Sequence, residues 1–288
     1  MVTKQGKRPT AAFSISVVCP TFDSQEFVGK AIASVLNQSV LPYELIISDD
    51  GSTDGTADLV ERLFSSYDLF CLLLRNEHRG PGAARNAGIR SATGEWIAFL
   101  DSDDFWEPEK LERIAEAIER HPDANFICHH ETMIRKDGRH QALEYGLRYR
   151  CNRPLVRQVY ASNIFSTSAV VCRRSLLLEC GLFDEGLMSA QDYDLWLRLS
   201  PDIRPFFVEE SLGCYVERAG NITSGNSGAR MLNELRIATR HANMVPRLDY
   251  IMRVTRIFRS YAWQQLFRFL LGPMRSRFAV AKRHSSGK

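Results

Sequence analysis

No stretch of this chain approaches the roughly 20 consecutive apolar residues that a membrane-spanning helix needs. The first residues are polar and basic (Lys4, Lys7, Arg8) and lack the apolar segment of a secretory signal. Cysteine is sparse and unpatterned: seven residues, an odd number, without a Cys-x-x-Cys pair, so neither a disulfide framework nor a thiolate metal site is expected. Cys19, Cys71, Cys128 and Cys172 lie in apolar runs and read as buried free thiols of a reducing compartment. These absences together predict a cytoplasmic chain. There is no Gly-x-x-x-x-Gly-Lys-Ser/Thr sequence, which removes a P-loop ATPase. The Gly80-Pro81-Gly82-Ala83-Ala84-Arg85 stretch fails the dinucleotide fingerprint, because Arg85 stands where the last glycine belongs and the segment follows a third strand. The histidines form no metal set; His129 and His130 are adjacent on a strand, point to opposite faces and read as structural or surface residues. No internal repeat or low-complexity tract is present.

What is there is an ordinary globular composition, 44% apolar and 25% charged over 288 residues, ample for a large α/β domain with an appendage. The net charge of +3 hides an asymmetry. From residue 230 onward there are 13 Lys/Arg and two acids, Glu234 and Asp249, against 24 bases and 32 acids before it. An acidic body suits a cation site, and a basic tail suits an anionic partner.

Read in order, residues 1–12 are predicted to be a disordered arm. Residues 13–19 are β-branched and end at Pro20, a first strand. A helix is expected over 26–38 with Phe27, Ala31, Ile32, Val35 and Leu36 on one stripe and Asp23 or Ser24 as its cap. Strands over 43–48, 69–74 and 96–100 alternate with helices over 56–67, 83–92 and 108–120, the last opening at Pro108. Four strand–helix repeats predict a doubly wound, mostly parallel sheet. The second half reads as mixed α+β: a strand over 125–130, a hairpin turn at 136–139, a β-rich run over 165–172, a short helix to residue 180, a helix over 190–199, and one or two strands over 206–216. Beyond 229 the chain is helical and basic, with apolar and Arg residues interleaved over 250–271.

The chemistry concentrates just past the strand ends, where open α/β sheets place ligands. Trp96-Ile97-Ala98-Phe99-Leu100 runs straight into Asp101-Ser102-Asp103-Asp104. Carboxylates this close repel unless a cation sits between them, and Mg²⁺ or Mn²⁺ on a diphosphate takes one or two such groups plus phosphate oxygens. The bland alternative is a turn-and-cap cluster, which is how Asp104 reads. In Asp49-Asp50-Gly51-Ser52-Thr53-Asp54-Gly55 a carboxylate could accept from a base N–H and Gly51 lets a ligand approach the backbone, while Asp54 reads as a helix cap. Pro20-Thr21 ends the adjacent strand. Arg85 near a helix start could meet a nucleotide or be a surface residue. In Gln191-Asp192-Tyr193-Asp194-Leu195-Trp196, Asp192 is either a helix-capping residue or a general base.

Taken together, these stretches over about 13–217 resemble the inverting GT-A glycosyltransferases of family 2. The residues carrying the likeness are Ile15 through Phe22, Ala31 through Gln38, Asp49 through Thr56, Gly82 through Gly88, Asp101 through Asp104, and Phe183-Asp184-Glu185 with Gln191 through Trp196. The resemblance implies a GT-A fold with a Rossmann-like, mostly parallel sheet flanked by helices: a glycosyltransferase domain over 13–228, with a nucleotide-sugar half (13–123) and an acceptor half (124–228), and a basic helical extension over 229–288. It implies that Pro20, Thr21 and Asp50 line the base pocket with Arg85 nearby. Asp101 and Ser102 would contact the nucleotide sugar, Asp103 would hold Mn²⁺ or Mg²⁺, and Asp192 would be the base. Such enzymes often carry Glu where this chain has Gln191. No Gln-x-x-Arg-Trp sequence of processive synthases occurs, so transfer of one hexose or hexosamine is expected, from a nucleotide sugar (UDP-sugar favoured) to a glycan or lipid-linked acceptor in polysaccharide or lipopolysaccharide assembly. Peripheral attachment to the inner face of a membrane through 229–288 is a further expectation, and no nucleic-acid partner is expected. The competing classes are a sugar-phosphate nucleotidyltransferase and a non-catalytic nucleotide-sugar-binding protein.

Overall fold

The structure is a computed structural model and describes residues 2–9, 13–218 and 227–263. Its first strand, β1 (Val2–Gln5), corrects the expected arm: it pairs antiparallel with β4 (Cys71–Arg75) at the sheet edge. A bare β4 edge would leave a row of backbone groups unpaired. Arg8 secures the segment, donating to the buried Glu44 at 2.8 Å and lying 3.8 Å over the Phe70 ring.

Strands β2 (Ile15–Thr21) and β3 (Glu44–Asp49) are buried along their whole length. With β4 and β5 (Trp96–Phe99) they form the parallel order β4-β3-β2-β5. Alternate side chains feed two separate core layers. Val17, Cys19, Leu45 and Ile47 pack with Ile32 and Val35 of α1 (Val28–Leu36) and with Val60 and Phe64 of α2 (Thr56–Phe64). Val18, Ile46 and Phe99 pack on the other face with Ile89 of α3 (Pro81–Ser91). A Cβ added at Gly88 would lie 2.5 Å from Val18 Cγ1, so α3 rests directly on β2.

Past β5 come β6 (Phe105–Trp106) and α4 (Lys110–Arg120), then β7 (Phe126–Ile134) and β8 (His140–Leu143), joined by the expected hairpin with Gly138 at φ +79°. The β-rich run 165–172 shortens to β9 (Val170–Arg173), because 167–169 form a 3-10 turn. The expected last strands are one bulged strand, β10 (Pro205–Val216). β9 runs antiparallel between β5 and β7, β10 lies parallel to β7, and β6 closes the edge antiparallel to β10. Helices α5 (Leu155–Ala161), α6 (Arg174–Glu179), α7 (Gln191–Leu199) and α8 (Ser227–Arg240) follow the second half, and 247–263 are helical. Part of the basic extension, 264–288, lies outside the described residues. All seven cysteines are free, and Cys19, Cys71, Cys128 and Cys172 are buried as read from the sequence. No helix among the described residues is long and apolar enough to cross a membrane.

Candidate functional site

The carboxyl ends of β2, β3 and β5 converge on one crevice. Pro20 and Thr21 are buried at the end of β2, paired with Ser48 and Asp49. The Thr21 hydroxyl donates to Asp49 Oδ1 at 3.1 Å, and the Asp50 amide donates to the Thr21 carbonyl at 2.8 Å. The buried Asp50 carboxylate accepts from the backbone N–H of Arg79 (2.9 Å) and of Gly80 (2.8 Å), and His78 Nδ1 lies 2.9 Å from its Oδ2. Two loops are thus stapled through one side chain. Gly51 has φ +78° and a Cβ there would come within 3.0 Å of the His78 amide, so the turn requires glycine. Phe22, exposed beside this pocket, stacks on His78 with centroids 4.2 Å apart. Asp54 is not the expected cap: Gly55, at φ +86°, takes the N-cap position of α2, and Asp54 one residue before it accepts from the Thr56 amide at 3.0 Å.

Asp23 and Ser24 do not cap α1. The Ser24 carbonyl accepts from the amides of Phe27 and Val28, while its hydroxyl donates to the Phe22 carbonyl and lies 3.0 Å from the Ser102 hydroxyl. Ser102 is thereby joined to the β2–α1 loop. Arg85, reaching from α3, pairs with Asp101 Oδ1 at 2.5 Å, and its Nε and Nη1 are buried with no partner among the described residues. Burial pushes the Asp103 carboxyl up, Asp101 adds to that, and Arg218 and Arg85 only partly oppose it. Arg218 donates to the Asp103 carbonyl at 2.7 Å and stacks 3.6 Å over Phe27.

Asp104 is more than a turn cap. It is buried, accepts from the Ser168 hydroxyl at 2.7 Å and from the Val216 amide at 3.1 Å, and burial with the neighbouring Asp103 pushes its carboxyl far up. Ser168 is the joint of this region. Its hydroxyl oxygen also accepts from the Asp101 amide (3.1 Å), and its carbonyl accepts from Trp106 Nε1 (3.2 Å) and Lys110 Nζ (2.9 Å). Lys110 is fully buried 3.4 Å over the Trp106 ring, and burial drives its ammonium well below the usual lysine range. His129 and His130 are both buried, so neither is a surface residue, and His129 lies near Lys110.

Across the crevice α7 starts after Ala190, held at φ +58°, an uncommon backbone for a residue with a side chain. Asp192, the second residue of α7, is half-buried and accepts from Asn163 Nδ2 at 2.8 Å through Oδ2. Burial raises its carboxyl, while the Tyr193 amide, Arg85 and Asn163 oppose the rise and Asp101 adds to it. Arg85, Asp101 and Asp192 therefore share one electrostatic neighbourhood. Gln191 is buried and its Oε1 has no partner among the described residues. The segment before α7 is braced by Asn86 of α3, which exchanges hydrogen bonds of 2.9 Å with Phe183 in both directions and donates to Glu185 at 2.9 Å. The fully buried Asp194 binds Arg198 (2.9 Å), Arg240 (3.0 Å) and His241 (2.9 Å), tying α7 to the C-terminal segment.

The structure brings together Arg85, Asp101 and Asp192, ties Asp50 to the loop before α3, joins Ser102 to Ser24 and Asp103 to Arg218, and places Pro20 and Thr21 at the end of the adjacent β2. Sequence reading missed Asn163, Ser168 and Arg218. None lies within a local pattern, and each reaches its partner from more than 25 residues away.

The sequence model described as Glycosyl transferase family 2 matches residues 16–179, more than half of the chain. An uncharacterized glycosyltransferase of Haemophilus influenzae is 29% identical over 208 residues, covering 69% of this chain and 66% of its own length. The chondroitin synthase of Escherichia coli is 26% identical, over 67% of this chain and 27% of its own. The curated relatives it matches are thus spanned over two thirds of their length or less. Among solved structures, Staphylococcus aureus TarS 1–349 in complex with UDP superposes with a TM-score of 0.62 at 20% identity, covering 90% of this chain and 75% of that one. The Pyrobaculum calidifontis mannosyltransferase PcManGT, in complex with GDP-Man and Mn²⁺, also gives 0.62, at 18% identity over 99% of this chain and 84% of that one.

Proposed function

Since the chain belongs to glycosyl transferase family 2 and has the GT-A fold, we propose that it moves one hexose or hexosamine from a nucleoside-diphosphate sugar to an acceptor hydroxyl, with inversion at the anomeric carbon. The observation that carries this reading is Asp192. A carboxyl whose proton affinity is raised by burial is held by Asn163 through one oxygen, beside Arg85 and Asp101 and across from the carboxylate loop. A general base needs that placement and a proton affinity nearer the working pH.

In this reading Pro20, Thr21 and Asp50 receive the nucleobase. Asp50 has N–H partners on both oxygens yet retains lone-pair capacity on Oδ1, which suits a base that presents an N–H. A UDP-sugar is favoured, in keeping with the UDP in the TarS complex. The two unpartnered nitrogens of Arg85 are donors for the nucleotide sugar, and Asp101 and Ser102 contact its ribose or sugar. Asp192 Oδ1, the oxygen that Asn163 leaves free, takes the acceptor hydroxyl's proton. The acceptor oxygen bonds to the anomeric carbon as the bond to the diphosphate breaks, and the electron pair of that bond leaves with the diphosphate.

Asp103 would hold a divalent ion, Mn²⁺ or Mg²⁺. The crowding of Asp101, Asp103 and Asp104 fits a cation, and hard carboxylate oxygens suit these ions. No group of three or more His, Cys, Asp or Glu among the described residues could hold a metal by itself, so the remaining ligands would be diphosphate oxygens and water. When bound, the ion supplies countercharge to the departing diphosphate. Acceptors are glycans or lipid-linked glycans of polysaccharide or lipopolysaccharide assembly, a reading the similarity to chondroitin synthase supports. Work on the cytoplasmic face of a membrane, with 229–288 in peripheral contact, completes the proposal.

The test is a panel of nucleotide sugars with Mn²⁺, scored for protection against thermal unfolding and for sugar transfer or hydrolysis. A donor at a hundred times its Kd stabilises by about 2.7 kcal/mol. Protection by no nucleotide sugar would refute the proposal. Release of pyrophosphate from a nucleoside triphosphate and a sugar phosphate would instead identify a nucleotidyltransferase.

A further inference from the structure

The helical residues 247–263 have two apolar faces. The inner one carries Arg253 and Ile257, both buried, with Arg253 donating to Glu234 at 3.0 Å. The outer one carries Leu248, Ile251, Met252, Phe258 and Trp263, which are 49% to 70% exposed. At roughly 100° per residue these five side chains fall within an arc of about 140° on one side of the helix. Arg247 and Arg256 lie at the edges of the stripe and the exposed Arg259 within it, and none of the three pairs with a carboxylate among the described residues. The nearby acids are already engaged: Asp249 accepts from Arg157 at 2.6 Å and Glu234 from Arg230 at 3.1 Å. We propose that this outer face docks on an anionic lipid surface, with the apolar stripe in the headgroup–acyl boundary and the arginines on lipid phosphates.

Charge selects the occupant. A second copy would set these arginines against their own counterparts, and residues 264–288 add six further Lys/Arg and no acid, so neither neutralises the face. An anionic polymer such as nucleic acid satisfies the arginines but has no use for five exposed apolar side chains. An interfacial helix needs both features together. The face is also joined to the site. Arg256 Nη1 donates to the Ala161 carbonyl at 2.8 Å, at the end of α5, and Asn163, two residues on, holds Asp192. A docked lipid surface therefore lies on the side from which the acceptor would arrive. That functional role rests on the sugar-transfer reading; the docking itself does not.

The test uses the full chain with phosphatidylcholine vesicles, with and without phosphatidylglycerol. Flotation is expected only with the anionic lipid and should weaken with salt. Trp263 is a native probe, because Trp96, Trp106 and Trp196 are at most 3% exposed. Its emission should shift to the blue on binding and be quenched by brominated acyl chains. Leu248→Glu combined with Phe258→Glu should lower vesicle partitioning about tenfold or more, with the melting temperature and nucleotide-sugar protection unchanged. Failure of the wild-type chain to float overturns the proposal. So does unaltered flotation of the double variant, or flotation without a change in Trp263 emission. A dimer or a nucleic-acid complex abolished by the same substitutions, without lipid binding, overturns it as well. A chain that floats yet transfers no sugar refutes the transfer reading alone.

Discussion

In residues 15–99 the strands run parallel through the core with both faces covered, and the candidate carboxylates Asp50 and Asp101 sit directly after β3 and β5. Their strands set the backbone, and the loop before α3 (for Asp50) and Arg85 with Ser168 (for Asp101) fix the rest. In residues 126–216 strand directions are mixed, and Asp192 sits at the start of a helix. That helix is aimed by a left-handed Ala190, held by Asn163 from another segment and anchored through Asp194 to Arg240 and His241. In the proposed reading, the donor side is positioned mainly by backbone continuity and the acceptor side mainly by long-range side-chain contacts. The first kind of site tolerates changes outside its own turns; the second is exposed to substitutions far from the reacting groups.

The sharpest break of this contrast is expected from Asp192→Asn, which should lower transfer about a thousandfold while nucleotide-sugar protection against unfolding persists. Asp103→Ala should instead lose the Mn²⁺-dependent protection. Equal loss of donor binding in both variants would erase the division into two sides. In the proposed mechanism Asp192 acts deprotonated, and its proton affinity is raised, so the rate should climb with pH through that raised value and then level, with the inflection above the usual aspartate range.

Asp194→Asn comes next. Burial pushes the Asp194 carboxyl up, but His241 and Arg198 outweigh that and hold it below its ordinary value. A lowered folded-state value means that this carboxylate stabilises the fold above the unfolded aspartate pKa, and that the contribution is lost as pH falls through the folded value. The variant should be less stable by about 3 kcal/mol in denaturant titrations at neutral pH, with the difference shrinking toward acid. A difference that grows toward acid would contradict the sign. On the donor side, Gly88→Ala should cost about 2 kcal/mol, since its Cβ would collide with Val18. An unchanged unfolding midpoint would show that α3 can lift off β2. The smallest effect is expected from Ser168→Ala, which removes the hydrogen bonds to Asp101 and Asp104. About a tenfold weaker apparent Mn²⁺ affinity should result, restored by Ser168→Thr, with kcat at saturating Mn²⁺ nearly intact.

How much of this is legible in the sequence follows the same contrast. β3 and β5 are largely apolar runs that lead into turn-forming acids, and β2 is one that ends at Pro20-Thr21, so both the strands and the groups after them announce themselves. Val2–Gln5 is largely polar and pairs because β4 has a free edge, which no local pattern encodes. Phe105–Trp106 is a two-residue strand whose partner, β10, lies about a hundred residues on. Lys110 reads as a surface lysine because buried lysines are rare, yet it sits under the carboxylate loop. Asp192 is visible as a residue, but Asn163, which decides which of its oxygens is free, belongs to a segment with no motif of its own.

The clamp on Asp194 also has a consequence in time. A ribosome delivers β2, β3 and β4 in the order in which they neighbour one another, and β5 then adds on the other side of β2, so this part of the sheet can assemble while the chain is still emerging. The carboxylate loop waits for Ser168 and Val216 to secure Asp104, and the helix of Asp192 waits longer, for Arg240 and His241. In the proposed reading, the residues assigned to the donor are therefore in place before the residue assigned as base is fastened, and the clamp on α7 closes only once the chain has passed residue 241.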